Sequence, residues 1–266
     1  MNTLTLSIAR GVATVTLARP AVRNAFNAQV IAELTEVFAG FPANKEVRVV
    51  ILQAEGKAFC AGADLNWMQQ MAGFTHDENV ADAAALARML HTLYTCSQPV
   101  IARVQGDVFA GGVGLVAACD IAVSVQSARW CLSEVKLGLI PATIAPYVIR
   151  AMGARAAHRY FLTAEVFDTA EAQRIGLLHE VTQGEAQLDA AVQRYAQQFL
   201  AASPHALAQC KRLLHDVAHA PLSDALRADT AQRIADIRVS EQGREGVAAF
   251  LERRTPAWLQ LPDSEA

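Results

Sequence analysis

Residues 99–114 read Pro-Val-Ile-Ala-Arg-Val-Gln-Gly-Asp-Val-Phe-Ala-Gly-Gly-Val-Gly. The apolar run at 99–104 predicts a strand that is buried on both faces, as in a parallel sheet. The glycine-rich run at 106–114 passes into the apolar residues 115–119, which favour a helix. Glycine lets a backbone approach a neighbouring chain or a ligand closely. The stretch therefore predicts a buried strand, a close-packed turn and a helix.

A second stretch has the same order. The apolar residues 47–52 precede the sequence Phe59-Cys-Ala-Gly-Ala-Asp-Leu65. A helix that begins after such a turn has unpaired N–H groups and a field that favours negative charge. Two such groups that converge on one carbonyl oxygen form an oxyanion hole. Spacing alone leaves a second interpretation open, namely two tight turns with close strand–helix packing. Neither stretch matches a P-loop or a dinucleotide fingerprint.

Apolar periodicity predicts further strands and helices along the first two thirds of the chain. Strands are expected at residues 1–10, 12–17, 121–125, 129–132 and 177–181, and helices at 28–38 and 80–94. This alternation is typical of an α/β core.

After Pro141 the pattern is almost entirely helical. Asp168-Thr-Ala-Glu171 has the spacing of a helix N-cap with a reciprocal acid three residues later. Residues 187–254 are helical, with breaks at Ser203-Pro204 and Ala220-Pro221, and both prolines are expected where helices begin. We therefore expect two parts, an α/β core over residues 1–200 and a helical part over residues 201–266.

Composition excludes several classes of protein. The 266 residues are 53% hydrophobic and 18% charged, which is enough for a large buried core. The net charge of −3, without a clustered basic face, argues against a nucleic-acid partner. No apolar run reaches the roughly 18 residues of a membrane span, and residues 1–10 alternate like a strand rather than a signal peptide. We expect a cytoplasmic protein without a membrane partner.

Metal and disulfide chemistry are not indicated. The five cysteines are scattered without zinc or redox spacing, and we expect reduced packing residues at Cys60, Cys96, Cys119, Cys131 and Cys210. His215 and His219 stand four residues apart on a predicted helix. Without a third ligand they do not predict a metal site.

Three motifs, taken together, resemble a known family. The stretch 59–65 is followed by Ala110-Gly-Gly-Val-Gly-Leu115 and Ala118-Cys-Asp-Ile121, and then by Ser133-Glu-Val-Lys-Leu-Gly-Leu-Ile-Pro141. In this order and spacing they resemble the two oxyanion segments and the glutamate segment of the crotonase (enoyl-CoA hydratase/isomerase) superfamily. Later segments, including Ser203-Pro…Lys211, fit as well, so the resemblance covers nearly the whole chain. It implies a crotonase-like spiral of ββα units with a helical C-terminal trimerisation part, and a homotrimer or hexamer.

The resemblance also implies roles for individual residues. The backbone N–H groups of Ala63 and Gly111 would hold the thioester carbonyl of an acyl-coenzyme A, and Glu134 would be the catalytic acid and base. Asp64 matches a family acid that is mostly structural. Contacts to the acyl group and to coenzyme A are expected at Arg23, Lys57, Ala61, Gly62, Asp64, Leu65, Trp67, Met68, Gly112, Gly114 and Lys136. Coenzyme A is part of the substrate, and no further cofactor is implied.

The neighbours of Glu134 independently suggest chemistry. The carboxylate stands between an apolar strand and the apolar residues 137–141, where desolvation would raise its pKa towards a useful acid/base value. Lys136 follows two residues later, so in an extended chain both side chains would share a face. Lys136 would then hold a substrate carboxylate or face a neighbouring subunit. The segment from Trp67 to Phe74 is expected to line the acyl pocket.

One position departs from the family pattern. The common hydratases have a second glutamate that faces the substrate from the helix after the second glycine segment, and this chain has Gly114 there. The candidates for the missing group are Asp107, His76 and a carboxylate of the substrate itself.

The three motifs look like a bacterial branch of the family that contains methylglutaconyl-CoA and isohexenylglutaconyl-CoA hydratases. We therefore expect the hydration of a 3-substituted glutaconyl-CoA in leucine or isoprenoid-acid catabolism. Two alternatives stay open. One is a Δ3,Δ2-enoyl-CoA isomerase in which Glu134 alone shuttles a proton, and the other is a non-catalytic acyl-CoA-binding oligomer.

Overall fold

Strands and helices alternate through the first two thirds of the chain in a computed structural model, which describes residues 1–259. The α/β prediction is confirmed. The strands are β1 (Leu4–Ala9), β2 (Val12–Leu17), β3 (Val49–Ala54), β4 (Ala58–Cys60), β5 (Val100–Val104), β6 (Asp107–Phe109), β7 (Ile121–Val125), β8 (Arg129–Cys131), β9 (Phe167–Asp168) and β10 (Glu180–Thr182).

The strands form two sheets. The larger has the order β1-β2-β3-β5-β7-β10, and only β1 is antiparallel to its neighbour. The smaller has the order β4-β6-β8-β9, in which β4, β6 and β8 are parallel and β9 is antiparallel. Consecutive strands such as β3 and β4, or β5 and β6, therefore go to different sheets before a helix follows. This is the predicted spiral of ββα units.

The helices follow the predicted positions closely. They are α1 (Ala28–Gly40), α2 (Leu65–Met71), α3 (His76–Tyr94), α4 (Gly111–Ala117), α5 (Ala145–Thr163), α6 (Thr169–Arg174), α7 (Glu185–Ala201), α8 (Pro204–Val217), α9 (Asp224–Val239) and α10 (Glu241–Glu252). The expected boundary after residue 200 falls in the last turn of α7. No helix within residues 1–259 is long and apolar enough to cross a membrane.

Local predictions fail where an element is short or where a side chain has a competing partner. Strands β4, β6 and β9 have only two or three residues, too few for a visible periodicity. The strand expected at 177–181 begins only at Glu180. Pro204 does begin α8, whereas Pro221 lies before α9, whose N-cap is Ser223.

Only one of the two hydrogen bonds of the predicted reciprocal cap of α6 is present. Asp168 accepts a hydrogen bond from the N–H of Glu171 (2.8 Å), as expected for an N-cap. The carboxylate of Glu171 does not return the bond. It accepts from the hydroxyl of Tyr160 (2.6 Å) and from the guanidinium of Arg174 instead. Two parallel bonds from a guanidinium to a carboxylate are stronger than a single bond from a backbone N–H.

A buried ion pair attaches the C-terminal helices to the sheet. The ammonium of Lys211, on α8, lies 2.7 Å from the carboxylate of Asp120, which follows α4. The same carboxylate accepts from the N–H of Val100 in β5 (2.7 Å). The Lys211 side chain is only 9% exposed. The Asp120 carboxylate accepts from both donors and therefore holds α8 against the beginning of the central strand β5.

We predict that Lys211→Met destabilises the protein by about 2–4 kcal/mol, because it leaves the Asp120 carboxylate, which is only 24% exposed, without its counter-charge. Denaturant unfolding at fixed protein concentration measures the change. Arg227→Met is the matched control, since it removes an ion pair with Asp224 whose side chains are 79% and 93% exposed. We expect the control within about 0.5 kcal/mol of wild type. Equal losses in the two variants would contradict a special role for Lys211.

Candidate active site

The three motifs meet at one edge of the smaller sheet. The motif at 59–65 leaves β4, the motif at 106–114 contains β6, and the motif at 133–141 follows β8. These strands are parallel neighbours, with Cys60 beside Val108 and Phe109 beside Cys131. The carboxyl ends of parallel strands point to the same edge of a sheet, which is where α/β proteins bind their ligands.

The first two motifs touch each other through small residues. A Cβ atom on Gly62 would lie 2.9 Å from the Cβ of Ala110, and Gly62 has a φ of 90°, which favours glycine. A Cβ atom on Gly112 would lie 2.8 Å from the Cβ of Cys60. Larger side chains at these glycines would push the two segments apart. The structure therefore explains the glycines by close approach of two backbones.

This contact leaves two backbone donors without a partner. Four N–H groups around it donate to backbone carbonyls, those of Ala61, Asp64, Ala110 and Val113, at donor–acceptor distances of 2.8–3.0 Å. Within residues 1–259, the N–H groups of Ala63 and Gly111 donate to no acceptor. A backbone donor without a partner costs free energy when it is also shielded from water. The two groups are therefore available to a ligand.

Phe26 lies beside both free donors. It pairs with Ala63 in an isolated parallel bridge, and its N–H donates to the carbonyl of Gly62 (2.7 Å). Its ring packs against Gly111, where a Cβ would be 2.8 Å from the ring. One buried side chain thus supports both segments. Nothing in the local sequence pattern pointed to Phe26.

Glu134 begins a short 3-10 helix, Glu134–Leu137, directly after β8. Its Oε2 is buried and has no hydrogen-bond partner within residues 1–259. Burial raises the pKa of Glu134, and a hydrogen bond from its own N–H only partly offsets this effect. A carboxyl group with a raised pKa and a free oxygen is suited to proton transfer. The expected desolvation of Glu134 is thus present in the structure.

Lys136 does not share a face with Glu134. The extended chain that we expected is a 3-10 helix, in which the side chains of residues two apart point about 120° away from each other. Lys136 is exposed. The prediction of a shared face is wrong because the backbone turns immediately after β8.

Asp64 has a structural environment that differs from that of Glu134. It caps α2 by accepting from the N–H groups of Asn66 (2.9 Å) and Trp67 (3.4 Å), and it pairs with Arg19 (2.8 Å). Burial alone would raise the pKa of Asp64, but these hydrogen bonds and the Arg19 charge outweigh burial and lower it. An ionised, fully engaged carboxylate holds the loop in place.

The residues of α2 are divided between surface and core. Leu65 is 81% exposed, Met68 is partly buried and Trp67 is buried. The Trp67 indole N–H donates to Asp82 on α3 (3.2 Å). Trp67 therefore joins α2 to α3.

Arg23, Lys57 and Ala61 line one cavity of about 640 Å³ together with Asp107, Phe109 and Arg129. Arg129 was missed at the sequence level, because only the pairing of β6 with β8 brings it there. Its N–H and its guanidinium both donate to Asp107. Asp107 is thus engaged by an arginine rather than free beside Glu134.

His76, the other candidate for a second catalytic group, lies on the surface. The His76 side chain is 90% exposed and lies beside Asp77 at the start of α3. Elsewhere, His215 stacks on the ring of Tyr94 at 4.1 Å. Within residues 1–259, no group of three or more His, Cys, Asp and Glu side chains is arranged to hold a metal ion.

A side chain at position 114 would not project into open space. A Cβ on Gly114 would lie 2.2 Å from Cγ2 of Ile144 and 2.6 Å from its Cβ. Gly114 and Ile144 are both buried. A side chain at this position would therefore meet Ile144, at the start of α5.

Comparison with known proteins places this geometry in a family. Residues 7–261 match the family model described as enoyl-CoA hydratase/isomerase. An enoyl-CoA hydratase structure from Shewanella pealeana superposes with a TM-score of 0.94, at 44% identity over 96% of each chain. The 2,3-dehydroadipyl-CoA hydratase of Escherichia coli is 30% identical over 96% of this chain and 98% of its own. The mevalonyl-coenzyme A hydratase of Aspergillus fumigatus is 32% identical over 91% and 89%. With its two free N–H groups and its buried glutamate at one sheet edge, this chain belongs to the enoyl-CoA hydratase/isomerase family.

Proposed function

We propose that the protein hydrates a 2-enoyl-CoA thioester whose acyl group is a 3-substituted glutaconyl group from leucine or isoprenoid-acid catabolism. The observation that carries the proposal is the pair of free N–H groups, Ala63 and Gly111, at the same sheet edge as the unpaired Glu134 carboxyl. A non-catalytic binder would have no use for a buried carboxyl oxygen without a partner, since such a group costs free energy.

In this mechanism the thioester oxygen lies between the N–H groups of Ala63 and Gly111. Water attacks C3, the C2=C3 electrons move towards C2, and negative charge develops on the thioester oxygen. Each backbone donor aimed at that oxygen contributes about 10²–10³ in rate. Glu134 transfers the proton, and no cofactor is needed beyond the coenzyme A of the substrate.

The cavity beside Ala61 suits the phosphate-rich end of coenzyme A. Three cationic side chains line it, those of Arg23, Lys57 and Arg129. Asp107 orients the Arg129 guanidinium and neutralises only one of these charges. Guanidinium groups bind phosphate through paired hydrogen bonds, which a lysine supports as a point charge.

The acyl group is inferred from the relatives and from the missing second glutamate. The E. coli relative is named for a dehydroadipyl group, which carries a second carboxylate, and the A. fumigatus relative for a mevalonyl group, which branches at C3. These names support a substrate for this protein whose acyl group is branched at C3 and carries a carboxylate. A carboxylate on the substrate would supply the second charge that position 114 does not.

The runner-up function is a Δ3,Δ2-enoyl-CoA isomerase. The packing of Gly114 against Ile144 favours it, because an isomerase needs only one carboxylate to move a proton between C2 and C4. The same free N–H groups would stabilise the dienolate.

We propose a homotrimer or hexamer as the working form. Apolar side chains stand exposed beside Glu134 and on α10: Leu137, Leu139, Ile140, Val247, Phe250 and Leu251. Phe250 is 82% exposed. Exposed apolar groups of this kind mark interaction surfaces.

We expect the purified protein to add water to 3-methylglutaconyl-CoA faster than to crotonyl-CoA. Incubation with 2-enoyl, 3-enoyl and 3-substituted glutaconyl thioesters, followed by mass and double-bond position, distinguishes the functions. A gain of one water supports the hydratase. A shifted double bond at unchanged mass indicates the isomerase, and no change in any thioester contradicts both.

Glu134→Gln should lower kcat by about 10²–10⁴ with little change in coenzyme A affinity, because it removes proton transfer and keeps the shape. Wild-type hydration should fall as pH drops through the raised pKa of Glu134, since only the carboxylate accepts a proton from water. The variant should lack that dependence. Turnover within threefold of wild type would remove Glu134 from the mechanism.

Arg129→Ala and Lys57→Ala should each raise KM for a coenzyme A thioester by roughly tenfold, because each change removes one charge-assisted hydrogen bond to the nucleotide. KM for the matching pantetheine thioester, which lacks the nucleotide, should not change. Arg227→Ala on the exposed face of α9 is the control. A rise in KM for both thioesters would place the two cations elsewhere than at the nucleotide.

A further inference from the structure

Ile144 occupies the space into which any side chain at position 114 would project. It is 2% exposed, and its Cβ would lie 2.6 Å from a Cβ at position 114. Its Cα would lie at 3.6 Å. Rotation about χ1 moves Cγ2 but leaves the Cβ where it is. The conflict therefore cannot be relieved by a change of rotamer.

The backbone around Ile144 is held as well. The carbonyl of Ile144 accepts from the N–H groups of Tyr147 and Val148, both at 3.1 Å, as α5 begins. The carbonyl of Pro141 accepts from the N–H of Ala145 (3.0 Å). A shift of Ile144 away from α4 would break these bonds at the start of α5. Close-packed interiors respond to such added volume with strain.

We propose that Ile144 is the residue that keeps a second carboxylate out of the site, so that Glu134 is the only protein carboxylate that acts on the substrate. The inference rests on the proposed hydration and adds the residue that determines how it proceeds. Glu134 then has two tasks. As a carboxylate it accepts a proton from the water whose oxygen bonds to C3, and as the resulting acid it gives that proton to C2.

The proton balance of this route is closed. One water supplies the hydroxyl group at C3 and the hydrogen at C2, and Glu134 ends in the state in which it began. Because a single carboxyl handles both transfers, the hydroxyl group and the hydrogen add to the same face of the double bond. The free Oε2 of Glu134 and its raised pKa suit a group that must both take and release a proton.

The packing is tested by stability alone, independently of any substrate. Gly114→Ala should lower Tm by roughly 2–10 °C, because the added methyl group collides with Ile144. In an Ile144→Gly background, which removes the Cβ as well as Cγ2, the same change should raise Tm, since alanine is the better helix former within α4. Ile101→Ala, at a buried isoleucine of β5 in the other core cluster, is the control background, where Gly114→Ala should again lower Tm.

The catalytic consequence is tested with two further variants. Gly114→Glu should lose activity towards every thioester and lose stability. Adding Ile144→Gly should restore folding and raise the ratio of crotonyl-CoA to 3-methylglutaconyl-CoA hydration at least about tenfold above wild type. A second carboxylate helps to activate water for the straight chain and repels a substrate carboxylate.

Two results overturn the role of Ile144. One is an equal Tm loss for Gly114→Ala in the wild-type and Ile144→Gly backgrounds, and the other is an unchanged activity ratio in the folded double variant. Failure of the proposed function looks different. In that case wild-type protein leaves all thioesters unchanged, while the Tm values still change sign between the two backgrounds.

Discussion

The parallel pairing of β4, β6 and β8 is the constraint on which the site depends. These strands have three residues each, yet each pair fixes the position of the segment that leaves its carboxyl end. The segments that leave β4 and β6 approach each other closely because Gly62 and Gly112 have no side chains. Around this contact the N–H groups of Ala61, Asp64, Ala110 and Val113 donate to backbone carbonyls, whereas those of Ala63 and Gly111 have no acceptor within residues 1–259. The position of these two free donors thus follows from the pairing of the strands.

Two carboxyl groups near these strands, Asp64 and Glu134, have pKa values shifted in opposite directions by their surroundings. Asp64 receives a guanidinium and two backbone donors, so its pKa is lowered although it is buried. Glu134 is partly buried with an oxygen that no donor reaches, so its pKa is raised. The same chemical group is therefore an ionised helix cap in one place and, in the other, a group whose raised pKa suits proton transfer.

The helical C-terminal part is linked to the site through Asp120. This residue follows α4, whose first residue, Gly111, supplies one free N–H, and it is held by Lys211 of α8. Arg48 adds a second link, since its guanidinium donates to the carbonyls of Leu200, Ala202 and Trp258. The C-terminal helices are therefore bound to the core by charges and carbonyl groups as well as by apolar contacts.

The large strands, most helices, the three motifs and the burial of Glu134 were predictable from the amino-acid sequence, because each depends on the apolar pattern or residue types of one continuous segment. The family resemblance added the pairing of the motifs in space. Four features were not predictable: the three-residue strands, the turn that separates Lys136 from Glu134, the placement of Arg129 beside Lys57, and the contact of Ile144 with Gly114. Each of these depends on which remote residues share a register or a packing contact, and periodicity reports whether a residue is buried but not against which neighbour.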